Sequence, residues 1–209
     1  NLGHNKYLGK VLTILGHKDD PGIDILSIAY KHEIDDKYSD AVLKELEDIP
    51  NEVNPEDLKN RRDLTSKTIF TIDGKDTKDI DDAISLEKEG NNYILGVHIA
   101  DVSHYVKENT AIGDDCYNRG TSSYLADTVI PMLPHKLSNG ICSLNPNTIR
   151  LTLSCEMQFD PKGNLITYDI FESYIKSAKK MNYDDVNSIL MENKIPQGYE
   201  PYADTLKEM

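Results

Sequence analysis

Five aspartates, Asp73, Asp76, Asp79, Asp81 and Asp82, fall within ten positions, where 23 Asp in 209 residues would supply about one. Adjacent carboxylates repel, and packing several ionised ones against apolar strands adds a desolvation cost. Such a cluster persists best when a cation neutralises it. Oxygen donors without His or Cys select magnesium, manganese or calcium over zinc. An EF-hand loop is excluded, because no start among the five aspartates puts Gly in sixth place, and a start at Asp73 puts Ile84 in twelfth. What remains is a loop that leaves one strand (69–72) and enters another (83–86). Carboxylates so placed can hold one or two magnesium ions over a phosphodiester, polarising a phosphoryl oxygen and generating hydroxide. A solvated acidic turn is the competing reading.

A second group follows, Tyr-Asn-Arg-Gly-Thr-Ser-Ser-Tyr-Leu at 117–125, Val-Ile-Pro-Met-Leu-Pro at 129–134 and Leu-Ser-Asn-Gly-Ile-Cys-Ser-Leu-Asn-Pro at 137–146. Small hydroxyl residues, Gly, Asn and a lone Tyr or Arg suit a loop that grips phosphate and stacks a base. They also suit turns, and taken alone Tyr124 reads first as a half-buried tyrosine and Arg119 as a surface ion pair. His98, His104 and His135 have no ligand spacing and read as core or surface residues. Three lysines within 176–180 read as a solvated face that could touch a nucleic-acid backbone.

The elements that must position these residues are those of a mixed α/β fold. A short strand is expected over 7–16, ending in a Pro-Gly turn. Ser39 or Asp40 can cap a helix with Val42, Leu43 and Leu46 on one face, and Asn54-Pro55 signals a second helical start, making 38–64 a charged helical connector. Strands are expected over 68–72, 83–86 and 93–100, the last apolar on both faces as a central strand should be. Ile149, Leu151, Leu153, Cys155, Met157 and Phe159 alternate with polar residues and predict a strand with that apolar set buried. Another strand lies near 165–174, and Asp184 or Asp185 can cap a closing helix carrying Val186, Ile189 and Leu190.

Composition narrows the classes of function. No apolar run approaches the roughly 20 residues of a membrane helix. With 23 basic against 36 acidic residues, net −13, a surface-wide attraction to nucleic acid or anionic membrane is excluded, so any nucleic-acid site must be local. Three cysteines without paired spacing fit neither a disulfide framework nor a zinc cage and point to a reducing, cytoplasmic compartment. The start, Asn-Leu-Gly-His-Asn-Lys, has no initiating Met or signal peptide and reads as an interior cut in a longer protein.

Five blocks in order, Thr-Ile-Asp-Gly-x-Asp-x-x-Asp-x-Asp-Asp at 71–82, Ile-Ala-Asp-Val-Ser-His-Tyr-Val at 99–106, Asn-Arg-Gly-Thr-Ser-x-Tyr at 118–124, and the blocks at 129–134 and 137–146, resemble the ribonuclease II (RNB) superfamily of exoribonucleases. The resemblance implies a partial RNB catalytic domain over 65–209, with a mostly antiparallel mixed sheet and helices. Residues 1–37 resemble the end of a cold-shock domain of the OB-fold type. It implies hydrolysis of single-stranded RNA from its 3′ end to nucleoside 5′-monophosphates with magnesium, manganese being a substitute. Asp73, Asp79 and Asp82 are then the metal ligands and Asp81 the catalytic carboxylate; Asp76 takes no assigned role. Tyr124 is the residue that stacks on the 3′-terminal nucleotide, with Arg119 and Tyr183 as further RNA contacts.

No membrane and no obligate protein partner is implied. The family's later Ser-Pro-Ile-Arg-Arg-Tyr-like block, which supplies an arginine for the developing phosphoryl charge, has no counterpart in these residues, so the 209 residues alone are expected to be inactive. A non-catalytic RNB-like module that binds RNA or scaffolds a complex is the alternative, and four intact aspartates argue against it. A cation-binding acidic module unrelated to RNA would leave the other four blocks unexplained.

Overall fold

The computed structural model describes residues 8–209. The strand expected over 7–16 is not formed there. Tyr7 lies outside the described residues, and 8–16 run without regular structure, with Leu8, Val11, Leu12 and Ile14 exposed. A strand's backbone needs a neighbour to pair with, and among the described residues none lies alongside. The Pro-Gly turn instead opens a helix, α1 (Ile23–Lys31), with Gly22 in the left-handed region at φ 79°. Helix α2 (Asp40–Asp48) starts at Ser39, whose hydroxyl accepts from the Val42 amide at 3.3 Å. It buries Val42 and half-buries Leu46, while Leu43 stays exposed. The start signal at Asn54 yields one 3₁₀ turn, Pro55–Leu58.

From there the chain builds strands β1 (Arg62–Asp63), β2 (Ile69–Asp73), β3 (Asp82–Glu89) and β4 (Asn92–Ala100), helices α3 (Val102–Tyr105) and α4 (Ala111–Arg119), and a two-stranded ribbon, β5 (Ser123–Tyr124) with β6 (Val129–Ile130). A wide helical turn, Lys136–Ile141, leads to β7 (Ile149–Phe159), β8 (Leu165–Lys176) and β9 (Lys179–Asn182), then α5 (Tyr183–Glu192) and α6 (Ala203–Glu208). Seven strands form one mixed sheet in the order β1-β8-β7-β4-β3-β2-β9. The four inner pairings are antiparallel, and the short edge strands β1 and β9 add in parallel. Asn182, not Asp184 or Asp185, caps α5, its side chain accepting from the Asp185 amide at 2.9 Å; an amide side chain fixed in the β9 ladder reaches that N–H first. Helices α5 and α6 close over Phe70 and Met181 at the β2–β9 end of the sheet.

β7 departs from the expected alternation, burying Leu151 of the apolar set but leaving Ile149 and Leu153 exposed. Leu153 is 48% exposed, whereas Arg150, Thr152 and Ser154 are buried. The reason is the 61–68 segment around β1, which crosses the polar face and brings Arg61, Leu64 and Lys67 onto it. Arg61 pairs with Asp101 at 2.5 Å, and Lys67 with Glu156 and Glu87 at 2.7 Å each. Beneath this cover the buried side chains satisfy one another. His98 bonds Ser85 Oγ through Nε2 (3.1 Å) and Ser154 Oγ through Nδ1 (2.7 Å), and Ser173 Oγ joins Ser154 (2.6 Å) and Thr152 (2.7 Å). Gly96 is required here, because a Cβ would sit 2.3 Å from Ser85 Oγ. The opposite face, with Ile99, Leu153 and Ile170, is open over β4, β7 and β8.

Burial holds the His98 imidazole down to a pKa of about 4, from an ordinary 6.5. The unfolded chain therefore binds a proton that the folded chain refuses across that interval. Stability from this residue is complete above pH 6.5 and falls as pH drops toward 4, by about 3 kcal/mol in all. Urea unfolding across that pH range is expected to show this slope, and His98→Asn is expected to flatten it; an unchanged slope in the variant would assign the acid sensitivity elsewhere.

Candidate active site

The aspartate loop is held by an apolar residue in its middle. Ile80 is fully buried in a cluster with Leu64, Ile69, Ala83, Leu144 and Ile175, so the chain must turn its neighbours Asp79 and Asp81 away from that core. The loop backbone is stitched to the 137–146 block. The Ile80 amide donates to Ser143 Oγ (3.1 Å), that hydroxyl donates to the Lys78 carbonyl (2.7 Å), and the Leu144 amide donates to the Ile80 carbonyl (2.9 Å). Buried Arg150 holds the Ser143 carbonyl in turn, at 2.9 Å. On the other side, the Ala100 amide donates to the Asp81 carbonyl at 2.8 Å, and Asp82 opens β3 opposite Ile99. Gly74 permits the tight turn after Asp73, where a Cβ would sit 2.9 Å from Thr77 Oγ1.

The carboxylates feel one another. Burial, then the charge of Asp82, pushes the Asp73 carboxyl above the usual range, with Lys180 opposing; burial, then Asp79 and Asp82, pushes Asp81 up. Asp79 and Asp81 face a cleft of about 470 Å³ whose lining includes Asp76, Tyr124, His135 and Asn139. A second hollow of about 390 Å³, walled by Ile99, Val102, Met132, Leu133 and Cys142, shares the same two carboxylates. Tyr124 is 71% exposed on the β5–β6 ribbon, and the nearby charge of Asp79 raises its phenol pKa. The structure thus brings Tyr124 to Asp79 and Asp81 across some 40 residues of sequence.

Arg119 is turned elsewhere. Its guanidinium donates to Asp115 (2.6 Å) and to the carbonyls of Asp35 (2.7 Å) and Lys37 (2.6 Å), and it lies over the Tyr38 ring. These bonds clamp 35–37 onto α4, and Arg119 does not line the aspartate cleft. Tyr183 is exposed at the start of α5, one residue beyond Asn182, the register partner of Asp73. It lines neither hollow.

Among the described residues, no three His, Cys, Asp or Glu side chains are gathered so as to hold a metal ion. The donor set still fits a hard cation. One Asp73 oxygen is buried without a hydrogen-bond partner, and besides burial, neighbouring carboxylates raise both Asp73 and Asp81, negative charge that a cation would relieve. Sequence reasoning missed Ser143 and Lys180. Ser143 lay inside a block already singled out, but its bonds to 78 and 80 span more than 60 residues and leave no local pattern.

A family model for the RNB domain matches residues 61–209, and one for the cold shock domain matches residues 2–39. The chain belongs to the RNB domain family. It is 51% identical over 200 residues to Ribonuclease R of Thermotoga maritima, covering 94% of this chain and 28% of that protein. It is 46% identical over 203 residues to Ribonuclease R 1 of Lactococcus lactis, covering 96% and 25%. Among solved structures, RNase R of Mycoplasma genitalium in complex with ribose-methylated single-stranded RNA superposes with a TM-score of 0.84 at 34% identity, over 92% of this chain and 30% of that one. The chain therefore spans about a quarter of the length of the curated relatives it matches.

Ser143→Ala leaves the Ile80 amide and the Lys78 carbonyl without their shared partner. Ser143 is fully buried, so the substitution is expected to destabilise the fold by about 2 kcal/mol in urea unfolding. A change within a few tenths would mean that the loop is held by Ile80 packing alone.

Proposed function

We propose that this chain forms the metal-bearing part of a 3′-to-5′ exoribonuclease that hydrolyses single-stranded RNA to nucleoside 5′-monophosphates. The observation that carries this reading is the meeting of Asp79, Asp81 and Tyr124 on one cleft, in a chain whose relatives are ribonucleases R. Magnesium, or manganese in its place, would be held by Asp73, Asp79 and Asp82, and when bound it supplies Lewis-acid polarisation of the scissile phosphate and an activated water. Asp81, between two ligands and tied through its backbone to Ala100, is the carboxylate placed to accept a proton from the attacking water. Tyr124 presents an exposed ring beside these carboxylates, where a terminal base can stack and set the length of the excised piece at one nucleotide.

Tyr183, exposed beside the strand end that carries Asp73, is a contact for the incoming strand. Arg119 serves as the clamp described above. Residues 38–64 connect the cold-shock-like and catalytic segments. All three cysteines are free, which supports a reducing, cytoplasmic setting, and no described helix is long and apolar enough to cross a membrane.

The whole protein, given a 5′-labelled single-stranded RNA in magnesium, is expected to produce a ladder that shortens from the 3′ end. Asp81→Asn is expected to slow it by at least about 100-fold. Equal shortening by both proteins, or none by either, would favour a non-catalytic RNB-like scaffold. These 209 residues alone are expected to leave the RNA intact, since they carry no arginine block of the Ser-Pro-Ile-Arg-Arg-Tyr kind.

A further inference from the structure

Lys180 sits on β9 beside Thr71, in the same parallel pairing that sets Asn182 beside Asp73. Within the lysine run at 176–180 it is half-buried, and its ammonium is turned onto the aspartate loop. There it donates to the carbonyls of Lys75 (3.3 Å) and Thr77. Both carbonyls belong to the turn between Asp73 and Asp79 that also carries Asp76. The turn closes on itself through one backbone bond, Thr77 N–H to Gly74 O at 3.1 Å. The lysine therefore joins two parts of the site that the sequence separates by more than a hundred residues, the carboxylate loop and the edge strand.

We propose that Lys180 is a positioning residue for the metal-binding carboxylates, its ammonium tying the 74–77 turn to β9 and thereby fixing Asp73 and Asp79 relative to each other. The inference rests on the metal-site reading above and adds a part to it. Lys180 bonds backbone carbonyls, which a divalent ion bound by carboxylates does not need to displace. A second role for a lysine near carboxylates is that of a counter-charge, and the two roles have opposite signs. Removing a counter-charge strengthens attraction of the site for a cation by Coulomb's law. Removing a tether weakens it, because the loop must then be ordered at the moment of binding.

The test is carried out on this chain with magnesium alone, by isothermal titration, and with no metal, by amide hydrogen exchange. Lys180→Met keeps the apolar stem and deletes the donor. It is expected to weaken magnesium binding by about tenfold, the scale of losing an outer-shell partner of a metal ligand. In the metal-free chain it is expected to speed exchange of the Thr77 amide by a similar factor. Lys180→Arg, which can reach the same two carbonyls, is expected to restore both to within about twofold of the starting chain. Lys180→Gln, shorter and uncharged, is expected to behave as Lys180→Met does and serves if that variant fails to fold. Unchanged exchange, or magnesium binding that is unchanged or tighter in Lys180→Met, would overturn the inference. If the unsubstituted chain binds no magnesium, the metal-site reading fails, and the exchange measurement still decides whether Lys180 holds the turn.

Discussion

The burial of one isoleucine between two aspartates is the constraint on which the site depends. Ile80 can enter the core only if its amide and carbonyl find partners there, and Ser143 and Leu144 supply them. Once Ile80 is fixed, Asp79 and Asp81 have no apolar side left to turn to, and their repulsion is held in place by packing instead of being relaxed by loop motion. Several carboxylates in one mobile loop would separate until solvent screened them. Here the separation is opposed by a packed side chain, a shared hydroxyl and the backbone bond from Ala100 to Asp81. The structure stores electrostatic strain that a cation would release.

The same logic explains the sheet. Its covered face holds a polar chain of Ser85, His98, Ser154, Ser173 and Thr152, whose members satisfy one another under the 61–68 segment beside the apolar cluster of Leu64, Ile69, Ala83 and Ile175. Its apolar face is covered by α5 and α6 only at the β2–β9 end. A fully satisfied polar network is rigid and specific in register, because a slip of one residue would strand each hydroxyl. That register matters to the site, since β4 delivers Ala100 to Asp81 and β3 begins at Asp82. Arg61, paired with Asp101 and bonded to the carbonyls of Thr152 and Ser173, ties the cover to the end of β4 nearest the loop.

What the sequence disclosed, and what it withheld, divides along the range of the interactions. The strands β2, β3, β4, β7 and β8 were legible from residue type and alternation, as was the Ser39 cap, because each is set within a few residues. The convergence of Tyr124 with the aspartates was legible only through resemblance, since no local rule relates positions 79 and 124. β7 shows where periodicity falls short: alternation identified the strand and the burial of Leu151, but gave no sign that the polar face is buried too. Hydrophobicity assumes that the buried face is the apolar one, and here Arg150, Thr152 and Ser154 are buried as well because their polar atoms find partners, Arg150 on backbone carbonyls and the two hydroxyls on Ser173. The strand expected over 7–16 failed for the opposite reason. Its residues carry β-propensity, but among the described residues no neighbouring strand lies alongside it. Lys180 was set aside with its run because composition cannot distinguish a solvated lysine from one whose ammonium caps two carbonyls.

The charge balance bears on how such a site could meet an anionic polymer. A net charge of −13 repels RNA at long range, and the carboxylate cleft repels it again at contact. An approach that relied on the aspartates alone would fail electrostatically, so the attraction must come from groups indifferent to that charge or able to reverse it. Tyr124 is of the first kind, since stacking on a base has no monopole term. A divalent ion is of the second, converting the most repulsive point of the cleft into the place where a phosphate is best stabilised. Arg119 cannot compensate, because its guanidinium is already committed to Asp115 and two backbone carbonyls. On the proposed reading, the cleft would couple substrate entry to metal occupancy, because without an ion the same carboxylates would repel the phosphate.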